Sequence, residues 1–355
     1  MNDKEATTRS VSVFRRRWRK FRTIKRGWYS FLLLVGAYTL TFFLPLLVND
    51  RALMVKYQEA YYFPAFGNFH EARDLGQRAI GEAQYRRLAK QYAESGGGNW
   101  VLMPPYPYGP IESLLTDPDL PGPPPHTPSL QHWMGTDDRA RDVFARLIYG
   151  FRISITFALF VVLVGYAIGM VVGACLGYFG GRVDIYGQRL VEIWAGLPYL
   201  YTIMIIASII KPTLWSLVVI LGLFSWIGIS YYMRGEFYRE KSRDYVAAAI
   251  AQGESSISIM LRHVLPNSLT PVVSFAPFAV VSSISALVAL DFLGFGLQPP
   301  TPSWGELVQQ GLSNIQKWHL IIFPLGAMFS TLLMVVFIGE AIREAFDPKE
   351  YSRLR

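Results

Sequence analysis

Six stretches of this chain are long and apolar enough to cross a lipid bilayer, which leaves few folds open to it. They run Trp28–Val48, Ile153–Leu176, Leu190–Ile210, Leu214–Met233, Val272–Leu290 and Leu320–Gly339. A helical span needs about 20 apolar residues. Five of the six hold no charged residue, and the third holds only Glu192 near one end. A charge at the centre of a span costs about 2.5–3.5 kcal/mol. Core helices of soluble proteins seldom stay apolar all round for so long. Charged residues make up 17% of the sequence, against roughly 25% in ordinary soluble domains. The predicted class is an all-α membrane protein with six transmembrane helices.

Lysine and arginine in short loops and at span ends mark the cytoplasmic side. The stretch "RSVSVFRRRWRKFRTIKRGW" is dense in arginine. The loop 234–271 adds Arg234, Arg239, Lys241, Arg243 and Arg262, and the tail adds Arg343, Lys349, Arg353 and Arg355. The opposite short loops hold only Lys211 and, near the sixth span, Lys317. Both termini are therefore expected in the cytoplasm. Phe14, Trp18 and Phe21 recur at i, i+4 and i+7 among the arginines. That pattern predicts a basic interfacial helix over 1–27, suited to membrane lipid with an anionic inner leaflet. A nucleic-acid arm is not expected, since a membrane span follows directly. The apolar run is too long for a cleaved signal peptide and lacks a small-x-small site.

After the first span, 28–48, residues 49–151 form a long insert on the other side. "YYFPAF" reads as a short strand or an aromatic interface anchor. Residues 71–93 look helical, with Ala79, Ile80, Ala83 and Leu88 among charges, and "SGGG" breaks that pattern. From Pro104 to Pro128 proline dominates and imposes a semi-rigid extended chain. A large core is not expected here. A small subdomain that caps the mouth of the protein or docks an external partner is. In "MGTDDRARDVFARLIYGFRISI", Thr136 or Asp137 can cap a helix. Val143, Phe144, Leu147, Ile148 and Phe151 give that helix a broad apolar face. The pattern predicts an amphipathic helix on the outer membrane surface, turning inward at Arg152. The membrane core is then 152–345, with a cytoplasmic tail at 346–355.

Within the second span, Gly165, Gly169, Gly173 and Gly177 fall four apart. Such a stripe lets two helix backbones approach closely. Pro198, Pro277 and Pro324 interrupt spans three, five and six and are expected to bend them. Ser282, Ser283 and Ser285 either face a polar path or bond back to their own helix. Intramembrane acids would mark a proton or ion relay, and only Glu192 and the end-placed Asp291 and Glu340 qualify. That speaks against an ion-coupled secondary carrier, the alternative transport class, as does the lack of a visible inverted repeat. Cys175 is the single cysteine. It excludes an intrachain disulfide and a cysteine metal cluster. "HEARD" at His70–Asp74 lacks the second histidine of a zinc helix. His70, His126, His132, His263 and His319 form no metal or nucleophile motif, so no catalytic residue, metal or enzymatic activity is expected.

The 234–271 loop is the polar exception in an apolar chain. In "DYVAAAIAQGESSISIMLRHVLPN", Asp244 can cap a short helix whose Ala247, Ala248 and Ala249 give it a flat surface. Gly253 can end that helix in a left-handed conformation. Ser255 or Ser256 can cap a second helix. Ile257, Met260, Leu261, Val264 and Leu265 would form its apolar stripe, and Pro266 stops it. A helix–glycine–helix elbow of this kind suits insertion into another protein's cleft.

This stretch resembles the EAA loop of ABC-importer permeases. Ala247-Ala248-Ala249 precede Gly253 by the family's spacing, and His263, Val264, Leu265 and Pro266 follow after nine residues. Ala247 stands where the family often has Glu, and His263 stands at its Ile position. "HVLPN" and three further stretches resemble the dipeptide/oligopeptide branch. They are "GTDDRARDVFARLIYGFRIS", with Ala140 in place of the usual Gly, "GYFGGRVD", and "LDFLGFGLQPPTPSWGELVQQG". The insert with "YYFP", and Asp291 in "LDFLGFG", look most like the microcin C transporter permease subgroup. The resemblance implies a type I ABC importer permease fold in a bacterial inner membrane. It implies a transport function for peptides or peptide-like compounds. A second permease subunit, ABC ATPase domains and a periplasmic solute-binding protein are the implied partners. Asp244, Tyr245, Ala247, Ala248, Ala249, Gly253, Glu254, His263, Leu265 and Pro266 would form the ATPase-coupling loop. Ser282, Ser283, Ser285 and Asp291 are candidates for the substrate path, with Asp291 placed to attract a peptide amino terminus. No G-x-x-x-x-G-K-[ST] phosphate loop is present, so ATP and Mg are expected on partner subunits and no cofactor on this chain.

Overall fold

The computed structural model describes residues 13–346, apart from Asn68, Ala79 and Pro121. Helix α1 (Val13–Thr23) meets α2 (Lys25–Leu40) at an elbow on Ile24, and a 3-10 turn joins α2 to the short α3 (Leu44–Leu47). The insert follows as strands β1 (Met54–Tyr57) and β2 (Ala60–Tyr62), helix α4 (Tyr85–Ser95) and strand β3 (Trp100–Leu102). The bundle is then α5 (Val143–Phe179), α6 (Gly181–Ala195), α7 (Tyr199–Ile209) and α8 (Leu214–Lys241). Short helices α9 (Asp244–Ala251) and α10 (Ser256–Ile259) precede α11 (Thr270–Phe292), α12 (Trp304–Ser313) and α13 (His319–Phe346). Five helical stretches have the length and composition of a span, and α6 with α7 makes a sixth that is bent by 70°. The break falls at Gly196–Pro198, where proline has no N–H to continue the ladder.

The insert departs from an all-α description. β1 pairs antiparallel with both β2 and β3, in the order β2-β1-β3. "YYFP" therefore includes strand residues, and its Pro64 opens a 3-10 turn over Pro64–Phe66. The sheet and α4 enclose a small core of Val55, Leu75, Tyr85, Leu88 and Tyr92. The helix expected over 71–93 is confined to a 3-10 turn at Ala72–Leu75 and to α4. Gly76 and Gly81, both at positive φ, turn the chain between them. Ala79 lies outside the described residues.

The surface helix expected to turn inward at Arg152 is also corrected. Residues 134–142 form a compact turn, and α5 runs unbroken for 37 residues from Val143. At 1.5 Å per residue that is about 55 Å, against roughly 30 Å of hydrocarbon. One end of α5 therefore stands outside the hydrocarbon layer. Its cap is Asp142, which accepts from the Ala145 N–H at 2.8 Å, and not Thr136 or Asp137.

The glycine stripe locks α5 to α8. A Cβ on Gly169 would meet the Trp226 carbonyl oxygen at 2.5 Å, and one on Gly177 would meet that of Arg234 at 2.5 Å. Gly165 faces Ser225, and Gly173 faces Ser230 and Met233. At the end of the bundle where α1 lies against the last turns of α13, the α5–α6 turn uses Gly180 and Gly181, both at positive φ. There Asp184 accepts from Arg234 Nη2 at 2.6 Å and from the Tyr238 hydroxyl at 2.5 Å. Cys175 is half-buried within α5.

Candidate functional site

The elbow between α8 and α11 is built by backbone rules the sequence states openly. Arg243 occupies the N-cap position of α9, so Asp244 is its first residue and not its cap. An acid in the first turn still complements the helix dipole. After Ala251, the Gly253 N–H donates to the Ile250 carbonyl at 3.0 Å and the Glu254 N–H to the Ala249 carbonyl at 3.2 Å. This double closure is a Schellman ending, and it requires the left-handed φ of +78° at Gly253. Ser255 caps α10 by accepting from the Ser258 N–H. A wide π-type turn (Met260–Val264) and a 3-10 turn (Leu265–Asn267) carrying Pro266 complete the elbow.

Two faces result. Val246, Ala249, Ile259 and Val264 are buried against Met233 and Phe237 of α8 and Tyr178 of α5. Ala247, Ala248, Ile250, Ile257 and Leu261 point outward. The apolar stripe expected on the second helix therefore splits. Its inward line is Ile259, Met260, Val264 and Leu265, while Ile257 (68%) and Leu261 (59%) are exposed. The π-type turn causes the split, because it rotates later residues relative to a 3.6-residue period.

Polar bonds the sequence did not announce brace the elbow. Glu254 accepts from the Ser258 hydroxyl and faces His263 Nε2 at 2.8 Å. The Ser258 hydroxyl first, and then His263, hold the Glu254 carboxyl below the usual carboxylate range. The Tyr245 hydroxyl donates to Glu240 at 2.8 Å and receives Asn267 Nδ2 at 3.4 Å. Burial, then this bond to Glu240, raises the Tyr245 hydroxyl above its ordinary range. The spacings Glu254-x3-Ser258 and Glu254-x8-His263 were visible, but only the turn between them brings the three side chains together.

A cavity of about 440 Å3 opens between α5, α7, α8 and α11. Rings of Tyr166, Tyr199, Phe224, Tyr232, Phe275 and Phe278 line it, with Ser225, Ser282 and Ser283, and no charged residue does. Ser282 and Ser283 also donate to the Phe278 and Ala279 carbonyls one turn back, so each bonds to its own helix from a place on the cavity wall. Ser285 is exposed and does not line the cavity. Asp291 does not line it either. It is 6% exposed and accepts from the Leu297 N–H at 2.6 Å and the Ser303 hydroxyl at 2.5 Å. Its carboxylate shapes the turn between α11 and α12, and reaching a peptide amino terminus would break those bonds.

The end of the bundle that bears the insert holds a buried charge cluster. Arg141 Nε donates to Asp137 at 2.7 Å and its Nη2 to Glu306 at 2.9 Å. Arg146 Nη2 donates to Glu306 at 2.5 Å, and its Nη1 donates to the Pro110 carbonyl at 3.0 Å. Two guanidiniums and two carboxylates balance, as buried charges must. The cluster ties the insert, α5 and α12 together. Beside it, Asp142 also accepts from the Tyr106 hydroxyl and faces His132 Nδ1 at 2.8 Å. "GTDDRARD" is thus a folding knot. Ala140 sits in it at φ +55°, the conformation that explains glycine at this position in the resembling motif. Among the described residues, no group of three or more His, Cys, Asp or Glu could hold a metal ion.

Residues 165–350 match the family described as binding-protein-dependent transport system inner membrane component. The Escherichia coli inner membrane ABC transporter permease protein YejE is 40% identical over 97% of this chain and 99% of its own length. The chain belongs to this permease family. It is a multi-pass inner-membrane transport subunit and not an enzyme, and family membership displaces the ion-coupled carrier. The Agrobacterium fabrum peptidoglycan transport system permease protein YejE is 36% identical over 96% of this chain and 94% of its own. The dipeptide transport system permease protein DppC of Bacillus subtilis is 34% identical over 68% of this chain and 75% of its own. A chain of the MetNI methionine ABC transporter, solved in inward-facing conformations, aligns over 96% of its own length and 57% of this one. That alignment has a TM-score of 0.45 and 15% identity.

Proposed function

We propose that this permease carries peptides or peptide-like compounds inward, and that the elbow 244–267 is where ATP-driven motion enters it. The relatives named for dipeptide and peptidoglycan transport support the cargo class. The microcin C type stays within the same chemistry. ATP and Mg belong to partner ATPase domains seated on the cytoplasmic side, where both termini of this chain also lie. A second permease completes the path, and the insert receives a periplasmic solute-binding protein.

The observation that carries the coupling role is the division of the elbow into two faces. Its inner face shares one core with α8 and α5, and these are zipped together by the glycine stripe. Its outer face offers alanines and exposed Ile250, Ile257 and Leu261, a surface fit for a protein cleft. A push on the outer face is therefore delivered to α5 and α8 as one body, and these two helices wall the aromatic cavity. The absence of charge along the cavity suits a path that must not hold a zwitterion tightly. The test is Gly253→Val. Its Cβ would meet no atom within 4 Å, so the defect would be backbone strain at φ +78° and not a clash. Membrane insertion should persist while peptide uptake is lost. Normal uptake by this variant would remove the coupling assignment.

A further inference from the structure

A second surface lies apart from both the elbow's outer face and the cavity. Helix α1 carries six cations and no acid in eleven residues. Phe21 is 3% exposed and packs with Ala341 and Ala345 of α13 and with Trp28 and Phe31 of α2. Arg17 lies over the Phe346 ring at 4.7 Å. Phe14 lies outside the residues whose side chains are described. At about 100° per residue, Arg17 and Phe21 share the docked face and Arg15 and Arg19 fall opposite it, while Arg22 lies over the Trp28 ring at 4.9 Å. Phe21 of the face expected to enter lipid is therefore spent on the protein, Trp18 stays exposed, and packing holds the row of Arg15 and Arg19 facing outward.

Arg15, Arg16, Arg19 and Lys25 are exposed and have no acidic partner within 4 Å among the described residues, whereas Arg26 pairs with Glu340 at 3.4 Å. Trp18, at 39% exposure, flanks the row. Directly beyond Lys25, the exposed side of α2 becomes apolar at Tyr29 (64%) and Leu33 (60%). The cations thus sit where an acyl-chain-facing surface begins, which is headgroup level. We infer that α1 and the start of α2 form a fixed clamp for anionic phospholipid headgroups, with Arg15, Arg16, Arg19 and Lys25 as its contacts. Guanidinium groups suit phosphate oxygens because they donate in a planar fork, and juxtamembrane cations bind anionic leaflets additively.

The test titrates the intact transporter complex with phosphatidylglycerol or phosphatidylethanolamine and counts bound lipid by native mass spectrometry. Wild type should retain phosphatidylglycerol at least about fivefold over phosphatidylethanolamine. Replacing Arg15, Arg16, Arg19 and Lys25 together by Gln should abolish that preference, and replacing the three arginines by Lys should preserve most of it. If the quadruple variant does not insert, Arg19→Gln with Lys25→Gln should lower the preference at least about twofold. Equal retention of the two lipids by wild type, or an unchanged preference in the glutamine variants, overturns the inference. Loss of the ATPase subunits with lipid preference intact would also overturn it, by assigning the basic row to a protein.

Discussion

Gly169→Ala adds one methyl group at the middle of the α5–α8 contact, where the geometry allows its cost to be worked out. The new carbon would lie 2.5 Å from the Trp226 carbonyl oxygen. Ordinary contact begins at 3.4 Å, so α8 must retreat by about 0.9 Å at that level. A backbone oxygen cannot rotate aside as a side chain can. Gly165 and Gly173, one turn away on each side, hold α8 equally close, so the retreat cannot stay local. Overpacking of this kind costs about 1–3 kcal/mol. Alanine returns up to about 1 kcal/mol of helix propensity, leaving a net loss of about 0–2 kcal/mol when that return is full. Gly235 on α8 is the control, since a Cβ there meets no atom within 4 Å. Gly235→Ala should be neutral or gain up to about 1 kcal/mol. Reversible unfolding of the purified chain in mixed micelles, titrated with SDS, reads both. If Gly169→Ala unfolds at the same SDS fraction as Gly235→Ala, the stripe is not a close-packing device and the argument fails.

Glu306→Ala leaves two buried guanidiniums sharing the single carboxylate of Asp137 and should cost about 3–5 kcal/mol, read as lost thermal stability with no change in the expressed chain length. Ala140→Gly should stabilise by up to about 1 kcal/mol, the relief of φ +55° outweighing a small buried methyl, while Ala140→Val should destabilise; melting curves of the two variants must diverge. Because the Glu254 carboxyl is held below its ordinary range, its contribution is complete above the unfolded carboxylate pKa and is lost as pH falls through the lowered one. The difference in melting temperature between wild type and Glu254→Gln should therefore be full at neutral pH and close on strong acidification. A photo-cross-linker at exposed Phe66 of the insert (68%) should capture the solute-binding protein in a working complex; its failure there and at Phe63 would count against the docking role.

What was legible in the sequence was whatever depends on near neighbours along the chain. The six apolar segments correspond to the six spans because a bilayer reads each segment independently. The glycine spacing showed a stripe, although not that its partner is α8. The Schellman ending at Gly253 was legible because one left-handed residue terminates the helix by local bonds alone. The surface helix at 134–155 was misread for the opposite reason. Val143 to Ile155 has an amphipathic period, but its apolar residues pack against Trp304, Tyr106 and other residues far away in the chain. An amphipathic period cannot distinguish a lipid surface from a protein one.

Asp291 shows the same limit at a single residue. An acid at the end of a span, next to "GFG", is the pattern expected of a ligand-facing charge, and composition offers nothing against it. Its role is decided by Gly296 and Gly305, whose missing side chains let the backbone fold around the carboxylate, and by Ser303 at twelve residues' distance. The glycines were visible in "LDFLGFGLQPPTPSWGE", but their effect is not. They close a turn over the acid and so withdraw it from the aromatic cavity. Asp291→Asn keeps the shape and one acceptor, so it should leave the transport profile unchanged while weakening the α11–α12 turn. If Asp291 instead met a peptide amino terminus, the same substitution would alter cargo selection before it altered stability.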